Sequence, residues 1–142
     1  MPSVILDIEK LKELERKVPG RAAAVVQKLA QDCESNAKRQ LEGTRTGRTY
    51  RHGTVEHQAS APGEAPAVDT GYLKNSITAI PEGKLRWVVA VGAVYGIWLE
   101  YGTVKKGTET ITRMAARPFM LPAVRETIRR MPKGLLQEVV DL

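Results

Sequence analysis

The amino-acid sequence predicts an α+β fold, in which N-terminal helices and a C-terminal helix pack on a small antiparallel sheet and are joined by long loops. Three observations predict this class: two helical periodicities at the start of the chain, valine-rich extended segments in its middle, and another helical pattern near its end. With 142 residues the chain can bury a real core, so we predict a single domain over 1–142. Aromatic residues make up only 5% of the chain, so that core is expected to be aliphatic.

The two N-terminal helices are predicted from apolar residues that recur every three or four positions. The first spans 7–18 and ends where Val18-Pro19-Gly20 disfavours helix. The second spans 21–41 and ends before Gly43. Its apolar stripe comprises Ala22, Val26, Leu29, Cys33, Ala37 and Leu41. Cys33 is the single cysteine of the sequence, so we interpret it as a buried free thiol, which fits a reducing compartment.

A long loop is predicted at about 43–69, where Gly, Thr, Arg, Ser, Ala and Pro dominate. Residues 50–57 within it suit a small hairpin around His52-Gly53, although the alternation there is weak. The segment Asp69-Thr70-Gly71 then opens a short turn of helix, with Asp69 or Thr70 as its N-cap. Loops of this length inside a small domain are usually functional or disordered.

The rest of the chain is predicted to contain a hairpin, a short helix and a last helix. The elements are strands at 76–80 and 85–91, a short helix at 94–101, a second long loop at about 103–113 and a helix from about 122 to 130. The continuous apolar run Trp87–Val91 favours burial on both faces of the second strand. Pro122 suits the first turn of the last helix. The residues after Pro132 are expected to form a short amphipathic tail.

The sequence argues against several functional classes. The N-terminus has no uninterrupted apolar region of the kind found in signal peptides. The longest uncharged run, Trp87–Leu99, is shorter than the roughly 20 residues that span a membrane. Hydrolase, zinc-protease and nucleotide-binding motifs are also missing. We therefore expect no catalytic residues, no cofactor and no enzyme activity.

The two histidines are candidate metal ligands. His52 and His57 flank a glycine turn, but the sequence supplies no third ligand beside them. Two histidines alone make a weak metal site. We therefore interpret them as solvated loop histidines and expect no metal.

The net charge of +6 permits contact with nucleic acid without requiring it. The basic residues of interest lie in the two long loops and are Arg45, Arg48, Arg51, Lys105 and Lys106. One interpretation is that they line a DNA channel, since Lys and Arg neutralise phosphates without reading the base sequence. The other is a solvated loop that binds protein, which we favour because Tyr50 is the only aromatic residue of the first loop.

Three motifs follow one another in the second half of the chain. They are D-T-G-Y-L at 69–73, V-Y-G-I-W-L-E-Y-G-T at 94–103 and A-R-P-F-M-L-P-A at 116–123. In this order and spacing they resemble the gp10 family of tailed bacteriophage HK97, a family of tail-completion or head–tail joining proteins. The resemblance extends from about residue 5 to 130. Gly96 and Tyr101 depart from it, since alanine and phenylalanine are common there.

The motifs also suit a structural scaffold. The residues of these motifs to which we assign a structural role are Asp69, Gly71, Trp98, Glu100, Gly102, Arg117 and Phe119. Glycines at 71 and 102 allow turns or close backbone contact. The fixed segment Arg117-Pro118-Phe119 is expected to seat Phe119 against Trp98 and Leu99. Arg117 is then expected to pair with Glu100, within the chain or across a subunit contact.

The resemblance implies a structural virion protein of a tailed phage or prophage, located in the tail or neck and assembled in the bacterial host cytoplasm. The resemblance implies a mechanism based on binding, in which copies of the chain associate side to side as a ring. The expected ring is a hexamer, because a tail tube imposes sixfold symmetry. The implied partners are adjacent head-closure, tail terminator or tail-tube proteins, with non-specific contact to phage DNA as a further option and no membrane. A tail terminator that caps the tail tube is the alternative within the family. A small basic nucleic-acid-binding protein is the less favoured alternative outside it.

Overall fold

The computed structural model of the chain describes residues 4–6, 8–105, 112–131 and 136–139, and it confirms the predicted α+β class. The described residues form five helices: α1 (Ile8–Lys17), α2 (Arg21–Gln40), α3 (Tyr72–Asn75), α4 (Gly96–Tyr101) and α5 (Met120–Arg130). They also form eight short strands: β1 (Val4–Leu6), β2 (Thr49–His52), β3 (Val55–Gln58), β4 (Ile77–Gly83), β5 (Arg86–Val91), β6 (Thr103–Lys105), β7 (Thr112–Met114) and β8 (Leu136–Val139). The predicted helices are present within about two residues of their expected bounds.

The strands pair in four separate antiparallel ladders of two strands each. The longest ladder joins β4 to β5, with Ile77 opposite Val91 and Pro81 opposite Trp87. Inside the first long loop β2 pairs with β3, and inside the second β6 pairs with β7. The fourth ladder joins β1 to β8, so part of the expected amphipathic tail is a strand. The sheet on which the helices pack is the β4–β5 hairpin.

The long helix α2 organises the fold because it contacts α1, α5 and both strands of the β4–β5 hairpin. Two clusters of buried side chains include residues of this helix. The larger cluster comprises Ala37, Leu41, Leu73, Ile77, Ala93, Phe119 and Ala123. The smaller cluster comprises Leu11, Ala22 and Val26, with Trp87 packed against it. The core is aliphatic, as predicted, apart from the fully buried Phe119.

The buried face of α2 differs slightly from the predicted stripe. Four of the six stripe residues are buried, whereas Leu29 and Cys33 are only half-buried. Ala30 and Asn36 occupy the buried face instead, and Asn36 Nδ2 donates a hydrogen bond to Thr127 Oγ1 on α5 at 3.0 Å. Burial raises the pKa of the Cys33 thiol. A raised pKa favours the protonated form of a thiol, which is less nucleophilic than the thiolate.

One face of the β4–β5 hairpin is covered and the other is open. The side chains of Trp87, Val89 and Val91 pack against the two core clusters. On the other face, Ile80 is 45% exposed and lies opposite Val88. The prediction that β5 is buried on both faces is wrong, since every residue of the strand keeps some exposure. The physical reason is that α2 packs against a hairpin of only two strands.

Candidate assembly surface

Glu100, in the last turn of α4, accepts three hydrogen bonds from the start of α5. Its Oε2 lies 2.8 Å from the amide nitrogen of Phe119 and 2.9 Å from that of Met120, and its Oε1 lies 2.8 Å from that of Leu121. The first N–H groups of a helix have no partner within the helix, and a carboxylate beside them interacts favourably with the helix dipole. The N-cap residue Phe119 makes no side-chain capping bond. Glu100 therefore caps α5 from a different element of the fold.

The expected ion pair between Glu100 and Arg117 is not formed within the described part of the chain. Both carboxylate oxygens of Glu100 accept from backbone donors instead. Arg117 is held by its main chain, whose N–H donates to the carbonyl oxygen of Leu99 at 2.6 Å. Its side chain is half-buried, and its Nε is buried without a hydrogen-bond partner. The segment that carries Arg117 is thus positioned by main-chain contacts and by the cap on α5.

Phe119 occupies the position that the motif predicts. Phe119 is fully buried in the larger core cluster, and Leu99 packs against that cluster. Trp98 takes no part in either cluster and is 52% exposed. Leu99 of α4 therefore faces the core that holds Phe119, as expected, while Trp98 keeps about half of its surface exposed. The expected contact between Phe119 and Trp98 stays a prediction.

Gly102 lies where α4 ends and β6 begins. Its φ of +74° is in the left-handed region, which side chains disfavour. A Cβ at this position would lie 2.6 Å from the carbonyl oxygen of Met114. The close approach of α4 to the segment after β7 therefore requires glycine, as the motif predicts.

Six large apolar side chains on α3, on α4 and on the turn before α4 are exposed. We call them the aromatic surface; they are Tyr72, Val94, Tyr95, Ile97, Trp98 and Tyr101. Their exposed fractions run from 39% at Tyr95 to 79% at Val94. The rings of Tyr72 and Tyr95 lie 6.3 Å apart, so α3 and the turn that leads into α4 share one surface. Clustered exposed apolar residues, unlike single ones, mark interaction sites.

A cleft of about 300 Å³ borders the aromatic surface. Tyr72 and Tyr95 line it together with Asp69 and Arg117. Tyrosine, tryptophan and arginine are the residue types most enriched where protein chains meet. The cleft and the aromatic surface therefore have the composition of a protein-binding site.

The basic loop residues differ from one another in their surroundings. Arg45 is half-buried, and its Nη2 donates to the carbonyl oxygens of Gln40 at 2.7 Å and Pro66 at 3.2 Å. It therefore ties the first loop to the end of α2. Arg48 and Arg51 are exposed. Lys105 ends β6, and Lys106 lies outside the described residues.

Glu64, which no sequence motif indicates, organises the first long loop. Its carboxylate accepts hydrogen bonds from the hydroxyl of Thr46, from the backbone N–H of Thr46 at 3.0 Å and from that of Ala61 at 2.9 Å. The bond from the Thr46 hydroxyl, followed by those from the two amides, lowers the pKa of Glu64 to about 2. A single glutamate in the segment A-P-G-E-A-P is too common a pattern to predict this role.

The D-T-G segment joins the first loop to α3. The N-cap of α3 is Gly71, with a φ of +81°, and not Asp69 or Thr70 as predicted. Asp69 faces the β2–β3 hairpin instead. Its Oδ1 lies 3.3 Å from Nε2 of His57, and the hydroxyl of Tyr50 donates to its Oδ2 at 3.4 Å. These contacts join residues that are distant in sequence, which is why they were not predicted.

Comparison with known proteins identifies a family. No curated protein and no solved structure matches the chain. No helix among the described residues is long and apolar enough to cross a membrane. A family model with the description "Bacteriophage HK97-gp10, putative tail-component" matches residues 8–102. This range includes the first motif and nearly all of the second, while the third motif lies beyond it. Since the match covers more than half of the sequence, the chain belongs to the HK97-gp10-like family of bacteriophage tail components.

Proposed function

We propose that this phage tail component is a tail-completion or head–tail joining protein of the neck, which assembles with copies of itself into a ring. Family membership supports a structural role in the tail. The observation that carries the proposal is the aromatic surface, which exposes four of the seven aromatic residues of the chain around α4. Large apolar side chains are unfavourable in water and contribute strongly to binding when a partner covers them.

The proposed partner of the aromatic surface is a second copy of this chain. A ring is built from heterologous contacts, in which one patch meets a different patch on the next copy. The open face of the β4–β5 hairpin offers such a second patch, where Ile80 and Val88 lie opposite each other. Helices α1 and α2 instead carry solvated ion pairs such as Glu13–Lys17 and Lys28–Asp32. Exposed ion pairs of this kind are typical of a surface that faces water, so α1 and α2 are not the proposed contact between copies.

The two long loops are the proposed contacts to neighbouring rings of head-closure, tail terminator or tail-tube protein. The first loop is anchored by Arg45 and Glu64, and it presents Arg48 and Arg51 to the outside. DNA that slides through a neck cannot be held tightly, so contact with it would be weak and non-specific. The proposed protein acts by binding alone, without a chemical step and without a membrane. It would assemble in the host cytoplasm and remain in the virion.

The mass of the purified chain in solution tests ring assembly. Light scattering at low and high protein concentration is expected to show a discrete species of several chains. Trp98→Ser is expected to raise the dissociation constant of that species at least tenfold, since Trp98 lies outside both core clusters and is 52% exposed. Val18→Ser is the matched control, because Val18 is also 52% exposed but lies between α1 and α2. A native mass for Trp98→Ser would contradict the proposed surface.

A chain that is monomeric at every concentration leads to a second measurement. The chain is then mixed with tail-tube protein and with head-closure protein, and the mass of each mixture is measured. Ring formation with head-closure protein supports the neck position. Binding to tail-tube protein alone would identify a tail terminator instead, and a failure to assemble with either would overturn the proposal.

A further inference from the structure

Three metal-ligating side chains from two segments of the chain meet beside the β2–β3 hairpin. His52, His57 and Asp69 each place a ligand atom within 4.8 Å of the other two. The rings of the two histidines lie 6.4 Å apart. We propose that His52, His57 and Asp69 form a binding site for a divalent transition metal ion, specifically zinc.

The register of the hairpin explains why the two histidines meet. Tyr50 pairs with His57 and His52 pairs with Val55 across the ladder. Because side chains alternate along a strand, these four residues share one face of the hairpin. His52 and His57 are therefore diagonal neighbours, which lie within reach of each other on that face. Asp69 approaches the same face from the D-T-G segment before α3.

The distances suit a shared zinc ion. Zinc bonds to nitrogen and oxygen of about 2.0–2.2 Å place two ligand atoms of a tetrahedral site roughly 3.4 Å apart. Nε2 of His57 and Oδ1 of Asp69 lie 3.3 Å apart. The ligand atom of His52 lies within 4.8 Å of each of the other two, a separation at most about 1.4 Å greater than this spacing. His52 is exposed, so its imidazole can rotate at little cost.

Tyr50 supports the ligands from outside the site. Its ring stacks against that of His57 at 5.8 Å, and its hydroxyl donates to Oδ2 of Asp69. Outer contacts of this kind orient the ligands of a metal ion. Three protein ligands leave the fourth position of a tetrahedral zinc ion to water. The ion fastens the hairpin of the first long loop to the start of α3.

Calorimetric titration of zinc chloride into the full chain, freed of tags and of bound metal by a chelator, tests the site. One ion per chain is expected, with a micromolar or lower dissociation constant. His52→Ala, His57→Ala and Asp69→Ala are each expected to weaken binding at least tenfold. Glu56→Gln is the matched control, because Glu56 pairs with Arg51 and therefore lies on the other face of the hairpin. Its affinity is expected to equal that of the native chain.

Cobalt(II) provides a second readout, since a tetrahedral cobalt ion absorbs visible light much more strongly than an octahedral one. The native chain is expected to show this absorption and His52→Ala to lose it. The absence of both heat and absorption in the native chain would overturn the proposal. Equal zinc affinity in the native chain and in all three ligand variants would also overturn it, because the ion would then lie elsewhere. The site does not depend on the proposed function, since metal binding is measured separately from mass.

Discussion

Replacing Glu100 by alanine removes all three hydrogen bonds that cap α5. With a net contribution of about 1 kcal/mol per bond, we expect Glu100→Ala to lower the free energy of unfolding by about 3 kcal/mol. This loss exceeds the roughly 0.5–2 kcal/mol typical of an N-cap side chain, because Glu100 satisfies more donors. The loss of these hydrogen bonds also destabilises the core, because α5 begins next to the fully buried Phe119.

Glu100→Gln separates the charge of the cap from its shape. One amide oxygen can replace Oε2, but the amide NH2 group then faces the N–H of Leu121, which is also a donor. We expect a smaller loss of about 1–2 kcal/mol for this variant.

Urea unfolding followed by circular dichroism measures these losses, provided that the dependence of the free energy on urea stays unchanged. Glu9→Ala is the control, because the side chain of Glu9 is 83% exposed and pairs with Lys12 on the surface. Its effect is expected to stay within about 0.5 kcal/mol. The capping role is refuted if Glu100→Ala costs no more than Glu9→Ala. It is also refuted if Arg117→Gln costs as much as Glu100→Ala and the double variant costs no more than either, because such non-additivity indicates an ion pair.

Two further predictions concern Gly102 and Glu64. Gly102→Ala is expected to destabilise the chain by more than about 1 kcal/mol in thermal or urea unfolding, because the added Cβ would meet the Met114 carbonyl at a positive φ. Gly83→Ala, whose Cβ would meet nothing closer than 3.9 Å, is its control, and equal losses would contradict the steric reasoning. The pKa of Glu64 is about 2 in the folded chain against an ordinary 4.5, so its contribution to stability is complete above about pH 4.5 and is lost as the pH falls toward 2. Acid unfolding of Glu64→Gln is expected to depend less on pH in this range than that of the native chain, and identical pH profiles would rule out this role.

Much of the fold follows from patterns within short windows of sequence. The helices α1, α2 and α5 lie near their predicted bounds because a helix is built from hydrogen bonds between residues four apart. The β4–β5 hairpin was predictable for a similar reason, since its strands are joined by a short turn. The pairing of β1 with β8 was not, because a ladder between the two ends of the described chain leaves no local signal.

The sequence by itself determined the α+β class, the helices and the family, because its motifs and periodicities can be recognised without knowing which residues meet. Only the tertiary structure decided the partners of individual side chains. In the folded chain, the carboxylate of Glu100 accepts hydrogen bonds from the start of α5 and does not pair with Arg117. Trp98 is exposed, while Leu99 packs on the core. The tertiary structure also brought Asp69 to the two histidines of the hairpin. The physical reason is that these contacts depend on how the core packs distant segments together, and core packing is a property of the whole chain.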